Sequence, residues 1–388
     1  MNLLQDILVI DFSQFLSGPS ASLRLADMGA TVIKIEKPVT GDIGRQLYVS
    51  DVMIEGESTI FHAINRHKKG YAADLKNEDD LEKIKLLLSK ADVMIHNFRP
   101  GVMERVGLDY ETVKQINPSI VYAELNGFGD EGPWKDLPGQ DLLLQAATGL
   151  AWLSNDKDAA PTPMGIAVAD IMAGTQLAQG ILASLYKRAL NGKGALIQVS
   201  MMESIISFQF EVLTCFYNDG HQLPVRSAVN GAHAYIAAPY GIYKTQEGYI
   251  ALAMSNIAVL GELMKCEALI QYSNSSDWFD KRDEIKKMLA DHLLTNSAGY
   301  WLEILEKADI WCAPVLDYDE LIKTEGYRAL NMEIVVKTSN GLLVKTTRCP
   351  IRVDGKILTS DVGAPLLGEH NLQIDEQMGL TKEIPVNI

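Results

Sequence analysis

Positive charge is scarce in this 388-residue chain, where 35 Lys and Arg face 50 Asp and Glu for a formal charge of −15. Such a balance repels nucleic acid and anionic lipid, so neither is an expected partner, and an anionic ligand has to be met by local basic clusters. Cysteine is scarce as well. Cys215, Cys266, Cys312 and Cys349 stand apart with no CxxC or Cys/His ligand spacing, which argues against a disulfide framework and a structural zinc site; no metal is expected. No apolar run is long enough to cross a bilayer. The opening MNLLQDILVIDF carries an acid where a secretory signal needs basic residues, so the expectation is a cytoplasmic protein without a membrane segment. Also missing is a GxGxxG after the first apolar strand. Gly18 is followed there by Pro19, which disfavours a standard NAD or FAD site.

What is present is the composition of a globular protein, 47% hydrophobic and 22% charged, long enough for two compact units. Ile7 to Ile10 reads as a buried strand, Ser20 to Met28 as a helix closed by Gly29, and Thr31 to Glu36 as a second strand. This unit implies a parallel sheet in an α/β fold, with ligands beyond the carboxyl ends of the strands. Glu78 to Ser89 continues as an amphipathic helix; Val93 to His96, Ile120 to Leu125 and Ile197 to Ser200 continue as strands, and Met201 to Tyr217 as one apolar helix. The polar, turn-rich stretch from Asn218 to His233 is the expected domain boundary. Beyond it, a hairpin over 240–253, helices from Asn256, Lys281 and Ser297, and a return strand near Ala313 suggest a small α+β module. The expected division is 1–220 for a large domain, 235–325 for the small one and 330–388 for a segment returning to the large one.

Basic residues gather at NRHKKG, Asn65 to Gly70, and at NFRPG, Asn97 to Gly101, with Arg105 following. A solvated loop is the plainer reading of the first; the second lies at a strand's carboxyl end, where an arginine can pair with phosphate. Asp141, after Gln140, precedes an apolar helix that it is placed to cap. The stretch Pro163 to Gly174, PMGIAVADIMAG, sets Asp170 ahead of a helix expected from about Ile171 to Leu190. Local physics makes Asp170 an N-cap first; the rival is a carboxylate nucleophile at the mouth of a pocket.

Taken in order, DFSQFLSGPSASLRLADMGATVIKIEKPVTGD at 11–42, NRHKKG, NFRPG with Arg105, NGFGDEGP at 126–133 and PMGIAVADIMAG resemble the class III CoA-transferase family, also called CaiB/BaiF. PYGIYKTQEGYIAL at 239–252 extends the resemblance into the small module. The resemblance implies a Rossmann-like large domain formed by both chain ends, a smaller α+β domain, and a homodimer of two interlocked rings. It implies an acyl-CoA donor and a carboxylic acid acceptor, with coenzyme A as substrate and no tightly bound cofactor. By the same resemblance Asp170 is the nucleophile, forming an acyl-aspartyl anhydride. CoA contacts are implied at Phe15, Leu16, Ser17, Lys37, Lys68, Asn97, Phe98 and Arg105, with Arg99 a weaker candidate and Lys69 contributing to the local field. Gln140 and Asp141 fall where relatives place polar groups that orient the reaction.

Two departures are informative. Formyl-CoA transferases carry glutamine where Leu16 stands and a glycine run where this chain has Asn230 and Gly231, so formate or oxalate chemistry is not expected, and Leu16 suggests a larger or less polar acyl group. The α-methylacyl-CoA racemases of the same fold carry a GHD-like run; here Gly139 to Asp141 is GQD, and glutamine cannot shuttle a proton at neutral pH. Transfer is therefore favoured over racemisation, over a non-catalytic CoA-binding protein in which Asp170 is only a cap, and over a nicotinamide oxidoreductase.

Overall fold

The computed structural model describes residues 3–47, 52–54 and 56–380. Its chain divides into two compact units, one of Met1–Leu144, Ala167–Phe208 and Leu330–Ile388, the other of Gln145–Ile166 and Gln209–Ala329.

The first unit is built on six parallel strands: β1 (Leu8–Asp11), β2 (Thr31–Glu36), β3 (Lys69–Ala72), β4 (Val93–His96), β5 (Val121–Asn126) and β6 (Ala195–Ser200). Their order across the sheet is β3-β2-β1-β4-β5-β6, so the direction of winding reverses between β1 and β4. Such a switch point opens a crevice at the carboxyl ends of the two strands, in front of residues 12–16 and 97–101. Val9, Ile10, Ile33, Val93, Met94 and Ile95 are all fully buried, as strands covered on both faces must be. Each large apolar side chain so buried contributes roughly 1.5–3 kcal/mol. Helix α1 (Ser17–Asp27) leads from β1 towards β2, and α2 (Glu78–Lys90) starts on Asn77, whose side chain accepts from Asp80 N–H, with three acids in its first turn.

The C-terminal segment closes the β3 edge of the sheet. Asn371 Oδ1 accepts from Ala72 N–H at 2.8 Å while its Nδ2 donates to Ala72 O at 2.9 Å, and His370 N–H donates to Gly70 O at 3.0 Å. An edge strand left open would invite pairing with another chain. Helices α3 (Asp141–Ala147) and α4 (Val168–Asn191) follow β5, and α4 ends on Gly192 in the left-handed conformation. The apolar run expected as one helix from Met201 is two, α5 (Met201–Phe208) and a second over Phe210–Asn218, with Gln209, at φ −91° and ψ 13°, between them as the N-cap of the second.

The second unit has its own core around an antiparallel sheet, β7 (Gly241–Lys244), β8 (Tyr249–Leu252) and β9 (Cys312–Pro314), with β8 in the middle. Tyr243, Ile250, Leu260, Ile285, Leu289 and Leu305 are fully buried there. The stretch from Asn218 to His233 lies inside this unit rather than between units, because charged side chains tie it down. Arg226 donates to Ser154 O at 2.7 Å and Lys157 O at 2.9 Å, with its guanidinium over the Trp152 ring. Lys286 Nζ donates to Ser227 Oγ at 2.9 Å and Asn230 O at 3.1 Å, and Gly231 N–H donates to Asp156 Oδ1 at 2.6 Å. The contact boundaries thus fall at 144/145, 166/167, 208/209 and 329/330, and residues 145–166 group with the smaller unit.

Candidate active site

The carboxyl ends of β1 and β2 carry alternating charges that the sheet buries completely. Asp11, the last residue of β1, accepts from Ser13 N–H at 2.9 Å, from the Ser13 hydroxyl, from Ser22 Oγ at 2.5 Å and from Lys68 Nζ at 3.2 Å. Burial by itself would raise its pKa, but Lys68, Lys34 and the two serine hydroxyls outweigh burial and hold the carboxyl below its ordinary value. Lys34 Nζ lies 2.7 Å from Asp42 Oδ2, and Arg45 forks onto Glu36 through Nε at 2.7 Å and Nη2 at 2.8 Å. Asp42 Oδ1 then accepts from Phe15 N–H at 3.2 Å. The buried charges thus terminate on the backbone of the loop after β1, where Phe15 takes a positive φ of 62° and stays 44% exposed. Asn97, just past β4, grips the same loop as a peptide would, Oδ1 accepting from Gln14 N–H and Nδ2 donating to Gln14 O, both at 2.8 Å.

Asp170 comes to this loop through α4. The helix starts at Val168 with Ala167 at its N-cap, so Asp170 is its third residue and not its cap, and the helix does not wait for Ile171. The capping is done from α3. Asp141 Oδ1 accepts from Ala169 N–H at 2.6 Å and lies 3.4 Å from Asp170 N, so Asp141 serves the free amides of α4. One turn beyond Asp170, Gly174 lets α1 and α4 cross closely: a Cβ at this position would collide with Ser20 Oγ and with Ser17 O. That crossing sets the Ser17 carbonyl and the Ser20 hydroxyl against the turn of α4 that follows Asp170. Burial and the neighbouring Asp141 charge push the Asp170 carboxyl up to about 6, against the lowering effect of Ser17. A half-buried carboxylate with few partners, on the first turn of a helix at the ligand edge of a sheet, is suited to nucleophilic attack or to proton transfer near neutral pH.

A model of CoA-transferase family III matches residues 4–371. The chain belongs to that family. It is 32% identical to the acetyl-CoA:oxalate CoA-transferase of Acetobacter aceti over 96% of this chain and 94% of the relative. It is 29% identical to the succinate–glutarate CoA-transferase of Agrobacterium fabrum, again over 96% and 94%. Among solved structures, a CaiB/BaiF family protein from Brucella suis superposes with a TM-score of 0.83 at 28% identity, covering 96% of this chain and 98% of that one. An alanine mutant of a Mycobacterium tuberculosis protein gives 0.83 at 26% identity, covering 95% and 97%. The chain is thus a family III CoA-transferase, an enzyme acting on CoA thioesters and carboxylic acids.

Against this family background the residues singled out in the sequence separate into groups. Phe15, Lys37, Arg99 and Arg105 are exposed, and Leu16 and Phe98 are half-buried, Phe98 stacking on His96 with ring planes 19° apart. Arg105 folds back over Gly101, whose Cβ position would lie 3.2 Å from Nη1. Asn97, Asp170 and Asp141 stand as described, and Ser17, the first residue of α1, is buried. Gln140 is exposed, and its carbonyl accepts from Leu144 N–H at 3.1 Å. NRHKKG is not a solvated loop. Arg66 is buried in a bidentate pair with Asp27, and Lys68 Nζ is spent on Asp11, Pro19 O at 3.1 Å and Asn65 Oδ1 at 2.8 Å. Burial outweighs the Asp11 attraction and lowers the Lys68 ammonium to about 8, so it remains charged at neutral pH. Sequence reasoning missed Asp42 as a support of the loop and the close crossing of α1 and α4 at Gly174. The second had a signal, since Asp170 and Gly174 are one turn apart and a glycine there marks a close neighbour.

Proposed function

We propose that the enzyme moves CoA from an acyl-CoA thioester to a free carboxylic acid through an acyl-aspartyl anhydride on Asp170. The observation that carries this reading is the place of the Asp170 carboxyl, half-buried on the first turn of α4 beside Asp141, where burial and that charge push it up to about 6. A carboxylate of raised basicity is a better nucleophile than an exposed one, and it is still charged when CoA arrives. Its oxygen attacks the thioester carbonyl, the C–S bond breaks, and CoA leaves as thiolate. In one course the acceptor carboxylate attacks the aspartyl carbonyl, expels the donor acid and leaves an acceptor–aspartyl anhydride, whose acceptor carbonyl the CoA thiolate then takes, freeing Asp170; in the other the returning CoA opens the anhydride first. In the second course the thiolate attacks the aspartyl carbonyl, expels the donor acid and forms an aspartyl thioester. The acceptor carboxylate displaces CoA from that thioester, and CoA then takes the acceptor acyl group, freeing Asp170. Water has to be excluded throughout, because it hydrolyses an anhydride.

In this reading the CoA phosphates meet Lys37, Arg99 and Arg105, while Phe15, Leu16, Asn97 and Phe98 form the edge along which the ligand lies. Lys68 acts from behind, holding Asp11 and the loop. Oxalate stays among the acceptors despite Leu16, since the relative from Acetobacter aceti is an acetyl-CoA:oxalate CoA-transferase. The enzyme acts as a homodimer in the cytoplasm.

The test is incubation with acetyl-CoA or succinyl-CoA and a panel of carboxylic acids including oxalate and glutarate, read by mass spectrometry for new CoA esters and for an acyl adduct on Asp170. A new ester, the adduct, and a fall of at least about a thousandfold in turnover for a folded Asp170→Ala enzyme are expected. Turnover preserved in Asp170→Ala sinks the aspartyl mechanism. Fast exchange of the α-hydrogen in heavy water without any acceptor points to racemisation instead.

A further inference from the structure

We propose that Asp42 is a positioning residue for coenzyme A: it holds Phe15 in the left-handed conformation, so that the loop after β1 meets the ligand already shaped. The inference rests on the reading that CoA lies along residues 15–17, and it adds a buried residue that acts on binding through Phe15.

Ser13, Gln14 and Phe15 are each held through the backbone by a side chain from elsewhere. Lys34 Nζ, from β2, donates to Ser13 O at 2.9 Å. Asn97, past β4, takes the N–H and the carbonyl of Gln14. Asp42 Oδ1 accepts from Phe15 N–H at 3.2 Å. The grip matters most at Phe15, which sits at φ 62°, a region that a bulky L-residue disfavours by roughly a factor of ten because its Cβ crowds the backbone. Such a conformation persists only where its surroundings impose it.

Asp42 is itself fixed. It is 1% exposed, its N–H donates to Glu36 Oε2 at 2.9 Å, and its Oδ1 also accepts from Gly44 N–H at 2.8 Å. The other oxygen lies 2.7 Å from the Nζ of Lys34, which is fully buried. A carboxylate so enclosed cannot turn from Phe15 without parting from a buried ammonium. Above this held backbone the Phe15 ring stays 44% exposed, at the ligand edge of the sheet. Were residue 15 free to relax, CoA would have to restore the left-handed form on binding, and its apparent affinity would fall with the fraction of molecules in that form. The cost lands on binding and spares the steps at Asp170.

The experiment reads CoA affinity by calorimetry, and kcat and the KM for acyl-CoA with the substrate pair of highest turnover, for Asp42→Asn in the Phe15 chain and in Phe15→Gly. Asparagine keeps one oxygen for the two amides but sets an NH2 group against Lys34, so the grip on Phe15 weakens. In the Phe15 chain the Kd for CoA and the KM are expected to rise about tenfold, with kcat within about threefold of the wild type. Glycine takes a positive φ at no steric cost, so in Phe15→Gly the same substitution is expected to change both by less than about twofold. Equal penalties in the two backgrounds, or a Kd unchanged within about twofold in a folded Asp42→Asn enzyme, overturn the inference. Thermal unfolding confirms the fold. Should Asp42→Asn not fold, Phe15→Ile is compared with Phe15→Leu, residues of equal size of which the β-branched one resists positive φ more. A Kd for CoA at least about threefold weaker in Phe15→Ile supports the inference, and equal values overturn it. Failure of the readings beneath it is separable. Phe15→Glu sets a carboxylate against the anionic ligand, and unchanged CoA affinity there removes CoA from this loop and overturns both. Turnover retained in Asp170→Ala sinks the aspartyl mechanism alone, since CoA affinity is read without it.

Discussion

Asp11 and Asp170 are both carboxylates at the ligand edge of the same unit, and their environments push them in opposite directions. Asp11 is fully buried, yet it has two serine hydroxyls, a backbone amide and an ammonium around it, and its pKa is lowered. Asp170 is less buried, but burial and the like charge on Asp141 outweigh the lowering effect of Ser17, and its pKa rises to about 6. Burial alone therefore does not make a carboxyl reactive. What matters is how many donors and opposite charges the fold supplies against the cost of desolvation. Asp11 is fully supplied and holds the loop. Asp170 is left short, and that deficit suits it to attack.

The contrast can be broken most sharply at Lys68. Lys68→Met removes the ammonium and leaves a buried carboxylate with less compensation, so a loss of about 3–5 kcal/mol in urea unfolding is expected, with far more effect on stability than on the KM for acyl-CoA of the fraction that folds. A stability change below about 1 kcal/mol would mean that Asp11 does not depend on the pair. Asp170→Asn is expected to do the reverse. A carboxyl with a raised pKa contributes stability that is present below its unfolded value near 4 and lost as pH rises through about 6, so the wild type carries the penalty of ionisation at pH 8. The variant escapes it and is expected to be more stable by about 1–2 kcal/mol at pH 8 and by almost nothing at pH 4. Equal stability at both pH values would place Asp170 among well-solvated carboxylates. Asp141→Ala separates capping from repulsion. Loss of the cap costs about 1 kcal/mol at pH 5, and less at pH 8, where relief of Asp170 offsets it. A cost that grows with pH would reverse the assigned electrostatics.

Much of this was legible in the chain. The alternation of apolar runs and helical spacing located β2 and β4 to the residue, because buried apolar side chains, Val32, Ile33 and Ile35 in the one and Val93 to Ile95 in the other, mark each strand between stretches that break the pattern. Five motifs in order pointed to the family and to Asp170. The fates of the basic residues were not legible. NRHKKG and NFRPG look alike as clusters, yet Arg66 and Lys68 turn inward to Asp27 and Asp11 while Arg99 and Arg105 stay in solvent, since their partners lie far off in sequence. For the same reason Asp141 was read as the cap of its own helix and Asp170 as the cap of the next. The partner of a short polar side chain at a helix start is open until the neighbouring helix is placed.

The sequence by itself determined the strand and helix order, the absence of a glycine fingerprint, the acidic surface that leaves anion binding to local groups, and the candidacy of Asp170. These depend on contacts close along the chain, or on composition, and both are written in residue types. Only the tertiary structure decided which carboxylate is satisfied and which is not. Whether a carboxyl is satisfied is a sum over donors and charges brought from distant segments, Lys68 and Ser22 to Asp11, Ser17 and Asp141 to Asp170, and that sum exists only once β1, α1, α3 and α4 are packed.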